Sequence, residues 1–114
     1  MSSYASGPGS QEKYLEHKLC EWVKSIKGKA VKGPSYTDKG IPDRIIILPK
    51  GGGTVWVEVK GGTYYQLTPM QKWWKDLLLD SDPERYFCID TKEDLEQFIK
   101  RCESMIDTKK DTMV

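Results

Sequence analysis

"GIPDRIIILPKGGGTVWVEVKGG", residues 40–62, decides the fold. "DRIIILP" is a β-branched run, "KGGG" a glycine turn and "TVWVEVK" a second apolar run. Composition and spacing together predict an antiparallel hairpin. Side chains alternate faces along a strand. Val55, Val57 and Val59 therefore share one face, and Trp56, Glu58 and Lys60 the other. The valines belong to a core. A turn near Gly51–Gly52 sets Asp43 opposite the Glu58–Lys60 end. Two carboxylates and one ammonium are expected to converge at one point of the sheet, away from the turn.

Outward from the hairpin, the rest of the chain supplies helices and one more strand. "QEKYLEHKLCEWVKSIKG" repeats Leu15, Leu19, Trp22, Val23 and Ile26 at steps of three and four, an amphipathic helix. Gly28 is expected as its left-handed stop. "KAVK" reads as a short strand and "GPSYTDKG" as a loop. "TPMQKWWKDLLL" opens a helix, with Thr68 as N-cap, Pro69 in the first position and Gln71 placed to complete a capping box. "RYFCI" reads as a buried strand. "TKEDLEQFIKRCESMI" is a last amphipathic helix with Leu95, Phe98, Ile99, Cys102 and Ile106 on one face. The expected order is α-β-β-β-α-β-α, an α/β domain with a central mixed sheet flanked by helices. Residues 1–10, small and uncharged, read as a disordered leader or a cloning remnant, and residues 11–114 as a single domain.

The 114 residues suffice for one core, not two. Charged residues make up 31% and aromatics 11%, which excludes a disordered chain. No apolar run approaches the roughly 20 residues needed to span a bilayer, so no membrane role is expected. Cys20, Cys88 and Cys102 are odd in number and far apart, with neither zinc nor disulfide spacing, which favours a reducing compartment. Residues 11–75 hold 12 Lys and Arg against 6 Asp and Glu, whereas residues 76–114 hold 6 against 11. A polyanion would be drawn to the first part and turned away by the second.

Two carboxylates held close together repel, and a hard divalent cation relieves that repulsion by taking oxygen ligands from both. Such an ion lowers the pKa of a bound water, and a neighbouring lysine orients that water or stabilises charge on a phosphate. The set Asp43, Glu58 and Lys60 suits phosphodiester hydrolysis. A cross-strand salt bridge, worth about 0–1 kcal/mol at a surface, is the competing reading. Gly61 and Gly62 leave the backbone open just past Lys60, where a large ligand would approach. Arg44 stands next to Asp43, on the other face of the strand under regular pairing.

"GIPDRIIILP", "VWVEVKG" and "LTPMQ" together resemble the VRR-NUC branch of the PD-(D/E)xK nucleases. Pro42–Asp43 matches the "PD" and Glu58-Val59-Lys60 the "ExK". "YLEHKL" is similar to the family's first helix, whose glutamate falls on Glu16, with Glu12 and Glu21 flanking it. Lys32 and Gln71 also fall on motif positions. The resemblance covers residues 12–79 well and 80–114 in layout only. It implies a restriction-endonuclease-like core and a Mg²⁺- or Mn²⁺-dependent nuclease. Asp43 and Glu58 would hold the metal with the Val59 carbonyl, Lys60 would position water, and Glu16 and Gln71 would support the site. It implies as well a Holliday junction resolvase-like homodimer acting on branched, four-way DNA, in the cytoplasm of a bacterium or a phage-infected host. The other classes weighed are a catalytically silent nucleic-acid-binding domain of the same fold and an exonuclease or flap nuclease.

Lys24, Lys27, Lys29, Lys32 and Lys39 crowd the segment leading to Asp43 and offer a phosphate track, joined by Arg44. Tyr64 and Tyr65, in the loop past the site, are candidates for DNA contact. Trp73 and Trp74 are adjacent, so they cannot both face the core. One is expected to pack under the sheet with Leu77, leaving the other to stack a base or meet a dimer partner. His17, the only histidine, has no triad companions.

Overall fold

The computed structural model describes residues 10–34, 39–62 and 66–106. Helix α1 runs Ser10–Ser25 and strands β1, β2 and β3 run Lys29–Lys32, Arg44–Leu48 and Gly53–Val59. Helix α2 (Pro69–Ser81), strand β4 (Tyr86–Ile89) and helix α3 (Lys92–Met105) follow. The molecule is an α/β structure with one four-stranded mixed sheet in the order β1-β2-β3-β4. β1, β2 and β3 are antiparallel neighbours, and β4 lies parallel to β3. No helix among the described residues is long and apolar enough to cross a membrane.

The hairpin forms as its composition dictates. Gly52 N–H donates to Pro49 O at 3.0 Å across Lys50 and Gly51. Both central residues have positive φ, 51° and 77°. Such a turn matches the twist of the flanking strands, and a glycine relieves one of the two strained positions. The resulting register pairs Arg44 with Val57 and Ile46 with Val55, which sets Asp43 across from Glu58.

Alternation then divides the sheet into two unlike faces. Val55, Val57 and Val59 join Ile46, Leu48 and Ile89 under α1 and α3, where Leu15, Leu19, Val23, Leu95, Phe98 and Cys102 complete the core. Phe98 meets Phe87 and Trp22 edge-on, with centroids 4.9 Å and 5.9 Å away. The opposite face carries Trp56, Glu58 and Lys60 beneath α2. There Trp74 stacks on Trp56 at 6.5 Å.

Two sequence expectations are corrected. The left-handed residue that ends α1 is Lys27 (φ 67°), not Gly28. Lys27 N–H donates to Lys24 O and Gly28 N–H to Val23 O, a Schellman closure with lysine at its left-handed position. Gly28 is required for space instead, since a Cβ there would lie 2.7 Å from Ile47 O. Nor does Leu77 pack under the sheet with the inward tryptophan. It shares the outer face of α2 with Trp73, four residues away, and both are exposed. The segment 1–9 lies outside the described residues.

Candidate active site

The site lies where β2 begins and β3 ends. Asp43 stands just before β2, and its Oδ2 accepts a hydrogen bond from Val59 N–H at 2.9 Å. The strand register thus holds the carboxylate against the neighbouring chain. Glu58 is one residue back along β3 and is 3% exposed, the one buried charged residue among those described. Lys60 Nζ sits 3.7 Å from Glu58 Oε2.

Gln71 ties the lysine and the glutamate together. Its Oε1 accepts from Lys60 Nζ at 3.0 Å, and its Nε2 donates to Glu58 Oε2 at 3.2 Å. The same Oε1 accepts from Thr68 N–H at 2.9 Å, while Thr68 Oγ1 accepts from Gln71 N–H at 3.1 Å. The capping box of α2 and the site contact therefore coexist in one side chain. Starting the helix locates the amide, and the amide orients two site groups.

The electrostatics follow from burial without enough positive charge. Burial pushes the Glu58 carboxyl up to about 8, with repulsion from Asp43 adding to the shift and Lys60 opposing it. Burial raises Asp43 as well, opposed by the Val59 N–H bond and reinforced by Glu16. Contact between the two carboxyls raises Glu58 and lowers Asp43, so Glu58 is the acid favoured to carry a proton. A divalent cation and this proton answer the same electrostatic need.

The first helix brings to the site the glutamate that flanks the motif position. Glu12, one turn before Glu16, has its carboxyl raised by burial and by Asp43, and lowered by Lys60. Gly61 (φ 60°) abuts the Glu12 backbone so closely that a Cβ could not fit. That contact draws the start of α1 onto the end of β3. The readable signal was this glycine, next to Lys60, together with a second glutamate on the same helical face.

Glu16 is engaged elsewhere. Its Oε2 pairs with Arg44 Nε at 2.8 Å, although it remains near enough to Asp43 to repel it. Arg44 and Lys32 are cross-strand partners on the sheet face that packs toward α1, away from Glu58. Lys32 and Lys39 are exposed. Tyr64 and Tyr65 lie outside the described residues. Cys88 pairs with Glu58 across β3 and β4, and burial holds its thiol at about 12, too high for a thiolate role.

Among the described residues no three His, Cys, Asp or Glu side chains form a ready-made metal cluster. The fit to an ion rests on the pair Asp43 and Glu58, with the Val59 N–H bonded to Asp43. Mg²⁺ is commonly held by one or two carboxylates plus waters and substrate phosphate, not by an all-protein cage. Two mutually repelling oxygen donors, one buried and one half-buried, match that chemistry. No protein-family model matches the chain, and a search of curated proteins finds no match either.

Proposed function

We propose that this chain is a Mg²⁺- or Mn²⁺-dependent, structure-selective DNA endonuclease that hydrolyses phosphodiester bonds at four-way junctions as a symmetric dimer. The observation that carries the reading is the pair Asp43 and Glu58, the first half-buried and the second buried, with Lys60 fixed beside it by Gln71. A binding module has no use for such a pair, because it would repel a phosphate backbone. The resemblance of "GIPDR" and "VEVKG" to VRR-NUC nucleases points the same way, as does a mixed sheet consistent with a restriction-endonuclease-like core.

The division of labour follows from the geometry. Asp43, fixed by Val59 N–H, and Glu58, fixed by Gln71, would hold the ion between two strands whose register cannot slip without flipping a core face. The ion, when bound, would neutralise the pair and lower the pKa of a bound water. Lys60 would donate toward the phosphate or the attacking water, and its bond to Gln71 holds the ammonium in place beside Glu58. Glu12 stands at the rim, able to accept a hydrogen bond from that water. Two-fold symmetry in the protein would match the near two-fold symmetry of a four-way junction, with one incision per protomer.

The test is incubation with single-stranded, duplex, flap and four-way DNA in Mg²⁺, Mn²⁺ or EDTA. Paired, symmetric cuts confined to the junction are expected, lost in EDTA and in Lys60→Ala and Asp43→Asn. Cutting that survives both substitutions would remove the site. Tight, metal-independent binding with no cutting on any substrate would replace the enzyme by a binding domain.

A further inference from the structure

We propose that the outer face of α2 is a self-association surface, packing antiparallel against α2 of a second copy across a two-fold axis near residues 73–77. The inference names the surface for the dimer in the reading above, yet it rests on that surface and not on the chemistry.

Helix α2 is packed on one side only. None of its residues is buried, whereas α3 buries Leu95, Phe98 and Cys102. Met70, Trp73 and Leu77, at i, i+3 and i+7, are 46%, 55% and 47% exposed. A helix presents such a stripe along a single line. Scattered exposed apolar residues are ordinary, but a contiguous stripe centred on tryptophan marks an interaction surface. The sheet beneath continues it. Val31 and Ile47, on the same face as Trp56 by register, are also exposed, because α2 lies over β3 and β4 and leaves the β1–β2 half open. A second helix laid beside α2 would cover both.

Charge selects the occupant. Lys72, Asp76 and Asp80 form one ridge beside the stripe, basic near the start of α2 and acidic toward its end. Antiparallel pairing with an identical helix sets Lys72 of one copy near Asp80 of the other, twice by symmetry, whereas parallel pairing opposes like charges. The acidic end of α2 is poorly suited to nucleic acid, which disfavours Trp73 as a base-stacking platform. The proposed axis, midway between residues 73 and 77, lies about four residues, roughly 6 Å, along the helix from Gln71. Both sites would therefore sit near the symmetry axis, as paired incisions require.

Sedimentation equilibrium with the full chain tests this. The wild type is expected at twice the 13.1 kDa chain mass. Trp73→Glu, at an exposed position, should weaken dimerisation by about a hundredfold or more, since both copies lose an aromatic anchor. Lys72→Asp should weaken it about fivefold, and Lys72→Asp with Asp80→Lys should restore it. Both changes suit the helix dipole, so unfolding would not explain a loss, and circular dichroism verifies the fold of each variant. A monomeric wild type at about 100 µM would overturn the proposal, since a specific interface of standard size associates below that. So would a Trp73→Glu variant that stays dimeric, or a charge swap that fails to rescue. A monomer that still cuts simple substrates in Mg²⁺ would overturn this surface alone and leave the catalytic site standing.

Discussion

The two faces of the sheet differ in what they are built to do. The face under α1 and α3 is dry and apolar, with Val55, Val57 and Val59 locked against Leu15, Leu19 and Phe98. The face under α2 holds a carboxylate buried at 3% exposure, a lysine, an amide and half-covered aromatic rings. One strand, β3, serves both, because successive side chains point opposite ways. Stability is concentrated on one side and spent in part on the other. A carboxylate buried this deeply beside a second acid is a liability to folding.

That contrast is open to direct attack. The largest effects should be on activity. Asp43→Asn or Glu58→Gln should lower junction cleavage by at least about a thousandfold in single-turnover assays while leaving the circular dichroism spectrum unchanged. On the apolar face the order reverses. Phe98→Ala should destabilise by about 3–5 kcal/mol in urea denaturation, through a cavity between α3 and the sheet. A loss below about 1 kcal/mol would show that this face is not the core.

A third experiment sharpens the difference through pH. The folded Glu58 keeps its proton up to about 8, whereas its unfolded value is 4.5. Between those values the native state binds more protons than the unfolded chain, so stability falls as pH rises, by about 1.4 kcal/mol per pH unit at most. In EDTA the melting temperature should drop from pH 5 toward pH 8, apart from other titrating groups. Glu58→Gln should flatten much of that slope and melt higher than wild type at pH 8, by about 4–8 °C for each kcal/mol gained. Mg²⁺ should raise the melting temperature of the wild type more at pH 8 than at pH 5. A wild type that gains stability across this range, with no difference from Glu58→Gln, would contradict a buried Glu58 that holds its proton.

Two smaller effects separate roles within the site. Gln71→Ala removes both the orienting amide and a helix cap. About 1 kcal/mol of stability and a 10–100-fold loss of cleavage are expected. Thr68→Ala should cost a similar stability but little activity, because Gln71 would retain Glu58 and Lys60. Equal losses of cleavage in both variants would reduce Gln71 to a cap.

The hairpin, the valine face and the meeting of Asp43 with Glu58 were all legible, because period-two alternation and a glycine turn are local signals. The capping box at Thr68 was equally readable. That at Thr91 was less so, since Asp94 stands where glutamate or glutamine is usual. Glu12 was not legible as a neighbour of Asp43. Its position depends on how closely Gly61 lets the chain approach α1, a tertiary contact with no period. The pairing of Glu16 with Arg44 was hidden for a related reason. The motif placed the glutamate on the helix, but the helix's rotation about its axis is set by Leu15, Leu19 and Val23. An exposed tryptophan on α2 was legible, because the adjacent Trp73 and Trp74 cannot both face inward; Leu77 was not, since leucine reads as a core residue wherever a sheet is available, and this sheet is only half covered.

The most direct test of the central claim is a titration of the metal-depleted protein with Mn²⁺, followed by the paramagnetic resonance of the free ion. One class of site per chain is expected, weakened at least tenfold by Asp43→Asn and by Glu58→Gln, and retained when Glu16, tied to Arg44, becomes glutamine. Undiminished binding in the first two variants, or no binding by the wild type, would contradict a metal centre at the junction of β2 and β3.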